Sequence, residues 1–135
     1  MIRYSTTEKI SPEQFIDILH RSTLAERRPV DDRECINNML EHANLMITAW
    51  EGEKLVGVAR SVTDFSYCCY LSDLAVDQNV QKGGIGKELM RHTQKALGPK
   101  CTLILLSAPK AQEYYPRIGM EQHSSAWILP PGKSI

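Results

Sequence analysis

The stretch Leu71-Ser72-Asp73-Leu74-Ala75-Val76, followed after the polar turn Asp77-Gln78-Asn79 by Gln81-Lys82-Gly83-Gly84-Ile85-Gly86, decides the fold. The first segment ends a run from Tyr67 to Val76 that is rich in aromatic and β-branched residues and reads as a strand. The second is a glycine-rich loop that opens a helix. In that helix Ile85, Leu89, Met90, Ala96 and Leu97 form an apolar side, while Lys87, Glu88, Arg91, Gln94 and Lys95 form a wet one. Gly98-Pro99 stops it. Thr102 to Ser107 then reads as a continuous apolar strand, as expected when both faces are covered. A strand–helix–strand unit of this kind makes a right-handed crossover and places its two strands in parallel.

Upstream, Ser11-Pro12-Glu13-Gln14 has the features of a helix start: Ser11 as N-cap, Pro12 at the first position and Gln14 closing a capping box. Phe15, Ile18 and Leu19 follow on one face. Glu26-Arg27-Arg28-Pro29-Val30 reads as a charged connection. Asp31 or Asp32 caps a second helix whose apolar stripe is Ile36, Met39, Leu40 and Ala43. The period then changes to that of strands, Leu45 to Trp50 and Leu55 to Val62, joined at Glu51-Gly52-Glu53-Lys54 as an antiparallel hairpin. Downstream, Pro109 starts a last helix with Ala111, Tyr114, Tyr115 and Ile118 on one face and Gly119 as its C-terminal cap. Met120 to Leu129 reads as a final strand, ended by Pro130-Pro131-Gly132. The expected fold is a mixed α/β domain spanning residues 1–135, in the order β-α-α-β-β-β-α-β-α-β, with helices packed on a mixed sheet.

The loop carries the chemistry. Amides at a helix start have no intrahelical acceptor, and the helix dipole adds positive character. Glycines let the backbone approach a ligand and take positive φ, so the segment suits a phosphate or pyrophosphate. Lys82 and Lys87 flank it. Two common phosphate loops do not match. A Walker loop needs glycine where Gln81 stands and Ser or Thr where Glu88 stands. A dinucleotide fingerprint needs a third small residue after Gly84-Ile85-Gly86, and Lys87-Glu88-Leu89 supplies none.

Gln81-x-x-Gly84-x-Gly86 after Leu74-Ala75-Val76 resembles the acetyl-CoA motif of the GNAT N-acetyltransferases. Ala111-x-x-Tyr114-Tyr115-x-x-x-Gly119-Met120 is similar to their closing A-x-x-F-Y-x-x-x-G-F segment. The resemblance is good from Tyr67 to Met120. It implies that acetyl-CoA binds with its pyrophosphate on the amides of Gln81, Lys82, Gly83, Gly84, Ile85, Gly86 and Lys87. Its pantetheine arm would pair like an extra strand with Leu74, Ala75 and Val76, where a bulge splays the strand from its parallel neighbour. A backbone N–H of that strand would stabilise the developing oxyanion. Tyr115 matches the tyrosine that protonates the leaving thiolate, and Tyr114 takes the usual Phe slot. The chain departs from the family in having Ala108, followed by Pro109, where many relatives carry an Asn. No Glu stands out as a base before the loop; Asp73 is the nearest acid, with Tyr70, His123 or an ordered water as the other options.

Composition narrows the partners. Sixteen Lys+Arg balance sixteen Asp+Glu, so the formal net charge is zero, and Arg27-Arg28 is a short basic run. That disfavours nucleic acid. No apolar run, Leu103–Leu106 included, approaches the length of a membrane span, and the first residues lack the apolar stretch of a signal peptide. A cytoplasmic enzyme without membrane partners is expected. Cys35, Cys68, Cys69 and Cys101 contain no C-x-x-C and read as reduced apolar side chains, so no metal is expected. Cys69 and Cys101 lack a convincing base, which favours direct attack by the amine over a cysteine relay. The expected activity is acetyl transfer from acetyl-CoA to a primary amine, of a small molecule first and of a protein second. The acceptor pocket is expected between Leu24 and Val62, and a homodimer is left open. The competing reading is an acetyl-CoA-binding sensor or scaffold without catalysis.

Overall fold

The computed structural model describes residues 1–135, the Lys82 side chain excepted. Ser11 caps the first helix, α1 (Pro12–Arg21), through the full capping box with Gln14, and Asp32 caps α2 (Arg33–His42) by accepting from the Cys35 amide at 3.0 Å. Strands β1 (Ile2–Ser5), β2 (Leu45–Glu51), β3 (Lys54–Thr63), β4 (Cys68–Val76) and β5 (Thr102–Ile104) form one sheet in the order β1-β2-β3-β4-β5. The first three pairings are antiparallel and β4–β5 is parallel, so the expected mixed sheet and its strand–helix–strand unit are both present. Helix α3 (Ile85–Lys95) is the crossover between β4 and β5, and α4 (Tyr114–Arg117) follows.

The sheet separates two apolar layers. On one side Leu45, Ile47, Ala49, Val56, Ala59 and Leu71 pack under Ile85, Leu89 and Met90 of α3. On the other, Trp50, Leu55, Val58 and Ala75 pack under Phe15, Ile18 and Leu19 of α1 and Ile36 of α2. Burying helices on both faces accounts for the near-continuous burial of β3.

Two bulges position the site. Ala49 pairs with Gly57 and Trp50 with Leu55, which leaves Val56 without an opposite residue. Arg60 pairs with Asp73 and Ser61 with Leu71, which leaves Ser72 extra in β4. An extra residue reverses the alternation of side chains beyond it. Leu71 therefore packs on the α3 side, and Asp73, two residues on, faces the α1–α2 side with Arg28 and Arg60.

Three expectations are corrected. The strand expected over Thr102–Ser107 is only three residues long, and it is not covered on both faces: Ile104 is 49% exposed and Leu106 51%. It is an edge strand held by β4 alone. The last helix is a 3-10 turn, Pro109–Ala111, followed by the four residues of α4. Pro116 supplies no N–H to a longer helix. The segment from Met120 to Leu129 is irregular, with Trp127 92% exposed; a strand pattern without a ladder partner gains nothing from its propensity. Gly119, at φ 96°, ends α4 as expected.

Candidate active site

β4 and β5 pair only from Cys68↔Thr102 to Tyr70↔Ile104. Beyond Tyr70 the two strands part, and the bulge at Ser72 lies just past that point. A cavity of about 610 Å³ occupies the gap. Its walls are Leu71, Ser72, Leu74 and Val76 of β4, Gln81 and Gly86 of the loop, Ala108 to Ala111, Tyr114 and Tyr115, and the segment Ser22–Leu24 with Glu26, Arg27 and Arg28. The glycine loop and the two tyrosines, far apart in sequence, thus share one cleft with the charged connection.

The loop is anchored from below. Asp77 is buried, and it accepts from Arg21 Nη1 at 2.6 Å and from the Asn79 amide at 2.9 Å. Burial opposes the charge of Asp77, but the Asn79 amide, Arg21 and Lys54 outweigh it and hold the carboxyl below its ordinary range. Gln81 Nε2 donates to the Val76 carbonyl at 3.1 Å, closing the loop back onto β4. Gly84 caps α3 at φ 79°, a conformation that favours glycine, and its carbonyl accepts the Glu88 amide at 3.1 Å. The amides of Ile85, Gly86 and Lys87 precede that first helical bond and have no helical acceptor.

The expected binding residues divide by orientation. Leu74, Val76, Gln81 and Gly86 face the cleft, whereas Ala75 packs under α1 and Ile85 fills the core, so those two present only their backbone. Gly83, Gly84 and Lys87 are exposed and do not line the cavity. Lys82 lies outside the described side chains.

Tyr115 lines the cleft and packs against the α3-side core. Burial raises its pKa, and the neighbouring Tyr114 adds to the rise; burial alone raises that of Tyr114. Both phenols therefore stay protonated at neutral pH, the form a proton donor needs. Their rings meet edge to face with centroids 5.3 Å apart.

Asp73 departs from the expectation of a base. Its side chain is 0% exposed and absent from the cavity wall. One carboxylate oxygen accepts from Arg28 Nε and the other from Arg60 Nε. Arg28 also donates to the Ser72 carbonyl at 2.7 Å, and Arg60 to Ser72 Oγ at 3.0 Å and to the Met39 carbonyl at 3.2 Å. With both oxygens engaged, Asp73 ties the Leu24–Arg28 wall and α2 to the bulge and has no open path to an amine. Tyr70 and His123 are not on the cavity wall either. Arg60 was not singled out from the sequence, although a charge inside the apolar run Leu55–Val62 signals a buried partner. Glu26 and Lys110 also pair, at 3.9 Å, between the charged connection and the Pro109 turn, a contact that no local sequence pattern marks.

No cysteine lines the cleft among the described residues. Cys69 is buried and its thiol is pushed up by desolvation; Cys68 is pushed up by the charge of Asp64. Neither is poised as a thiolate. Among the described residues no helix is long and apolar enough to cross a membrane.

Comparison with known proteins agrees with this geometry. The sequence matches the acetyltransferase (GNAT) domain family over residues 7–127. A search of curated proteins found no match. Among solved structures, a Staphylococcus aureus protein of unknown function superposes with a TM-score of 0.78 at 17% identity, covering 96% of this chain and 100% of that one. A GNAT-family acetyltransferase of Streptococcus pneumoniae gives 0.70 at 21% identity, covering 96% and 98%. An aminoglycoside acetyltransferase from an uncultured soil metagenomic sample, in complex with sisomicin, gives 0.67 at 19% identity, covering 96% and 95%. At such identities the superpositions speak for the fold, and the family match, which spans most of the chain and both motifs around the cleft, makes this protein a member of the GNAT acetyltransferase family.

Proposed function

We propose that the protein transfers an acetyl group from acetyl-CoA to the primary amine of a small molecule, by direct attack while both substrates are bound. The observation that carries this reading is one cleft that joins Gly86, in the first turn of α3, the unpaired edge of β4 and the Tyr115 side chain. The residues suit the donor. Loop amides and the α3 dipole match a pyrophosphate, and the β4 edge from Leu71 to Val76, free of β5, matches an extended amide-bearing arm. Ala108 stands on the cavity wall where many relatives carry Asn, so one side-chain contact to the donor is lost there.

When bound, acetyl-CoA supplies a thioester carbon open to attack. The chain's own groups do the rest. A backbone N–H of the Leu74–Val76 segment of β4 would polarise the carbonyl oxygen. The Leu24–Arg28 wall would position the amine, which sheds its ammonium proton to solvent before it attacks; the N–H proton lost on acylation also leaves to solvent, which restores the proton that Tyr115 gives up. As the C–N bond forms and the C–S bond breaks, Tyr115 gives its phenolic proton to the thiolate. The cleft, bounded by side chains on all these segments, suits a small amine, and one structural neighbour, an aminoglycoside acetyltransferase, is in complex with sisomicin. Thiol release measured over a library of amines tests the proposal. Free CoA released with at least one amine, with the acetylated product seen by mass spectrometry, is expected. Acetyl-CoA binding with no release over the whole panel would establish the sensor reading instead.

A further inference from the structure

Tyr114 opens α4, and Gly86 lies in the first turn of α3, yet the two are in contact. A Cβ added to Gly86 would stand 3.0 Å from the Tyr114 hydroxyl oxygen and 3.7 Å from its Cζ. The same position would meet the Val76 side chain at 3.8 Å. The glycine at position 86 thus makes room for a phenol, in contrast to Gly84, whose positive φ is the constraint and where an added Cβ would meet nothing within 4 Å.

The hydroxyl itself has no hydrogen-bond partner among the described residues, and its ring is held edge-on by Tyr115. It lines the same cavity as Gly86 and Gln81. Beside it stand the amides of the first turn of α3, which carry no helical acceptor. A phenolic O–H next to the free Gly86 amide gives two donors without an acceptor on one wall of the cleft, and the oxygens of an anionic group can satisfy both.

We propose that the Tyr114 hydroxyl is a ligand for the pyrophosphate of the acetyl donor, donating to a phosphate oxygen alongside the Gly86 amide, and that the missing side chain of Gly86 leaves the room this hydroxyl occupies. The inference rests on the acetyl-CoA reading above. It makes Tyr114 a binding residue and leaves the thiolate end of the cleft to Tyr115. A phenylalanine in this slot would keep the ring packing and lose the contact.

The test uses the full chain and two donors, acetyl-CoA and S-acetylpantetheine, which has the thioester arm but no phosphate. Calorimetry and steady-state transfer are measured for wild type and Tyr114→Phe. Loss of a hydrogen bond to a charged group should raise Kd and KM for acetyl-CoA by about tenfold or more. The value of kcat at saturating donor should hold within about twofold, and S-acetylpantetheine should be used alike by both proteins. Gly86→Ala, which displaces the hydroxyl, should show the same donor-selective loss and serves as a second variant if Tyr114→Phe does not fold. An unchanged Kd for acetyl-CoA, an equal loss with both donors, or a fall in kcat in place of the KM change would each overturn the assignment of Tyr114. Failure of the wild type to bind acetyl-CoA at all would instead remove the donor reading on which it stands.

Discussion

The carboxylate of Asp73 on β4 holds the guanidinium of Arg28, 45 positions earlier in the chain, and shares its charge with Arg60 on β3. One anion between two cations, wholly buried, ties together three segments that wall or support the cleft. Removing the anion leaves the buried Arg60 guanidinium uncompensated, which typically costs about 3–5 kcal/mol, and frees Arg28 on the cleft wall.

Asp73→Asn should therefore lower the melting temperature strongly. In the protein that remains folded, any loss of transfer should appear as a higher KM for the amine. The acid limb of the pH–rate profile should keep its position, because no proton is relayed through Asp73. A variant of wild-type stability whose kcat collapsed, with that limb lost, would restore the carboxylate as the base.

Tyr115→Phe keeps the ring that packs on the core and removes the proton. Transfer should slow by about 10²-fold or somewhat more under conditions where chemistry limits the rate, with acetyl-CoA affinity little changed. Burial and Tyr114 hold the phenol above its ordinary pKa of 10.0. The donor form is thus complete at neutral pH and declines only as pH rises past that value. No alkaline fall in kcat below about pH 10 should belong to this group. Wild-type turnover in Tyr115→Phe would pass the proton to water or another side chain.

Gly84 takes φ 79° with open space around it. Replacement there strains the backbone without a clash. Gly84→Ala should cost about 1 kcal/mol of stability, and Gly84→Asn less, since Asn tolerates the left-handed region. Denaturant unfolding of the two variants checks the order; equal losses would mean that the site resists side chains for another reason.

Asp64 stabilises the turn between β3 and β4 by accepting from the amides of Ser66, Tyr67 and Cys68 at 2.9, 2.8 and 3.1 Å. The amides of Tyr67, Cys68 and Ser66 lower its pKa from 3.8 to about 2. Because the folded value is the lower one, its stabilising contribution is complete above about pH 4 and fades as pH falls towards 2. The stability difference between wild type and Asp64→Asn, followed by thermal melts from pH 7 to 2, should shrink over that window. A difference that is flat with pH would remove the carboxylate from this role.

Local rules made much of the molecule legible from its sequence. The Ser11–Gln14 capping box, the stripes of α1 to α3, the β2–β3 hairpin and the loop from Gln81 to Gly86 all depend on residues within a few positions of one another. Local steric and hydrogen-bonding preferences act over that range, and the two short motifs that identify the family lie within it as well. Other features needed the assembled chain. The extra residue at Ser72 reverses the facing of everything after it in β4, so alternation alone could not show that Asp73 turns away from the cleft towards Arg28 and Arg60. The shortness of β5 and the irregular path of Met120–Leu129 follow from which backbone edges find partners. The contact of Tyr114 with Gly86 joins two helices that only the closed cleft brings together. Sequence patterns set the local conformations, but the register of β4 and the packing across the cleft are collective, because each depends on several distant segments settling together.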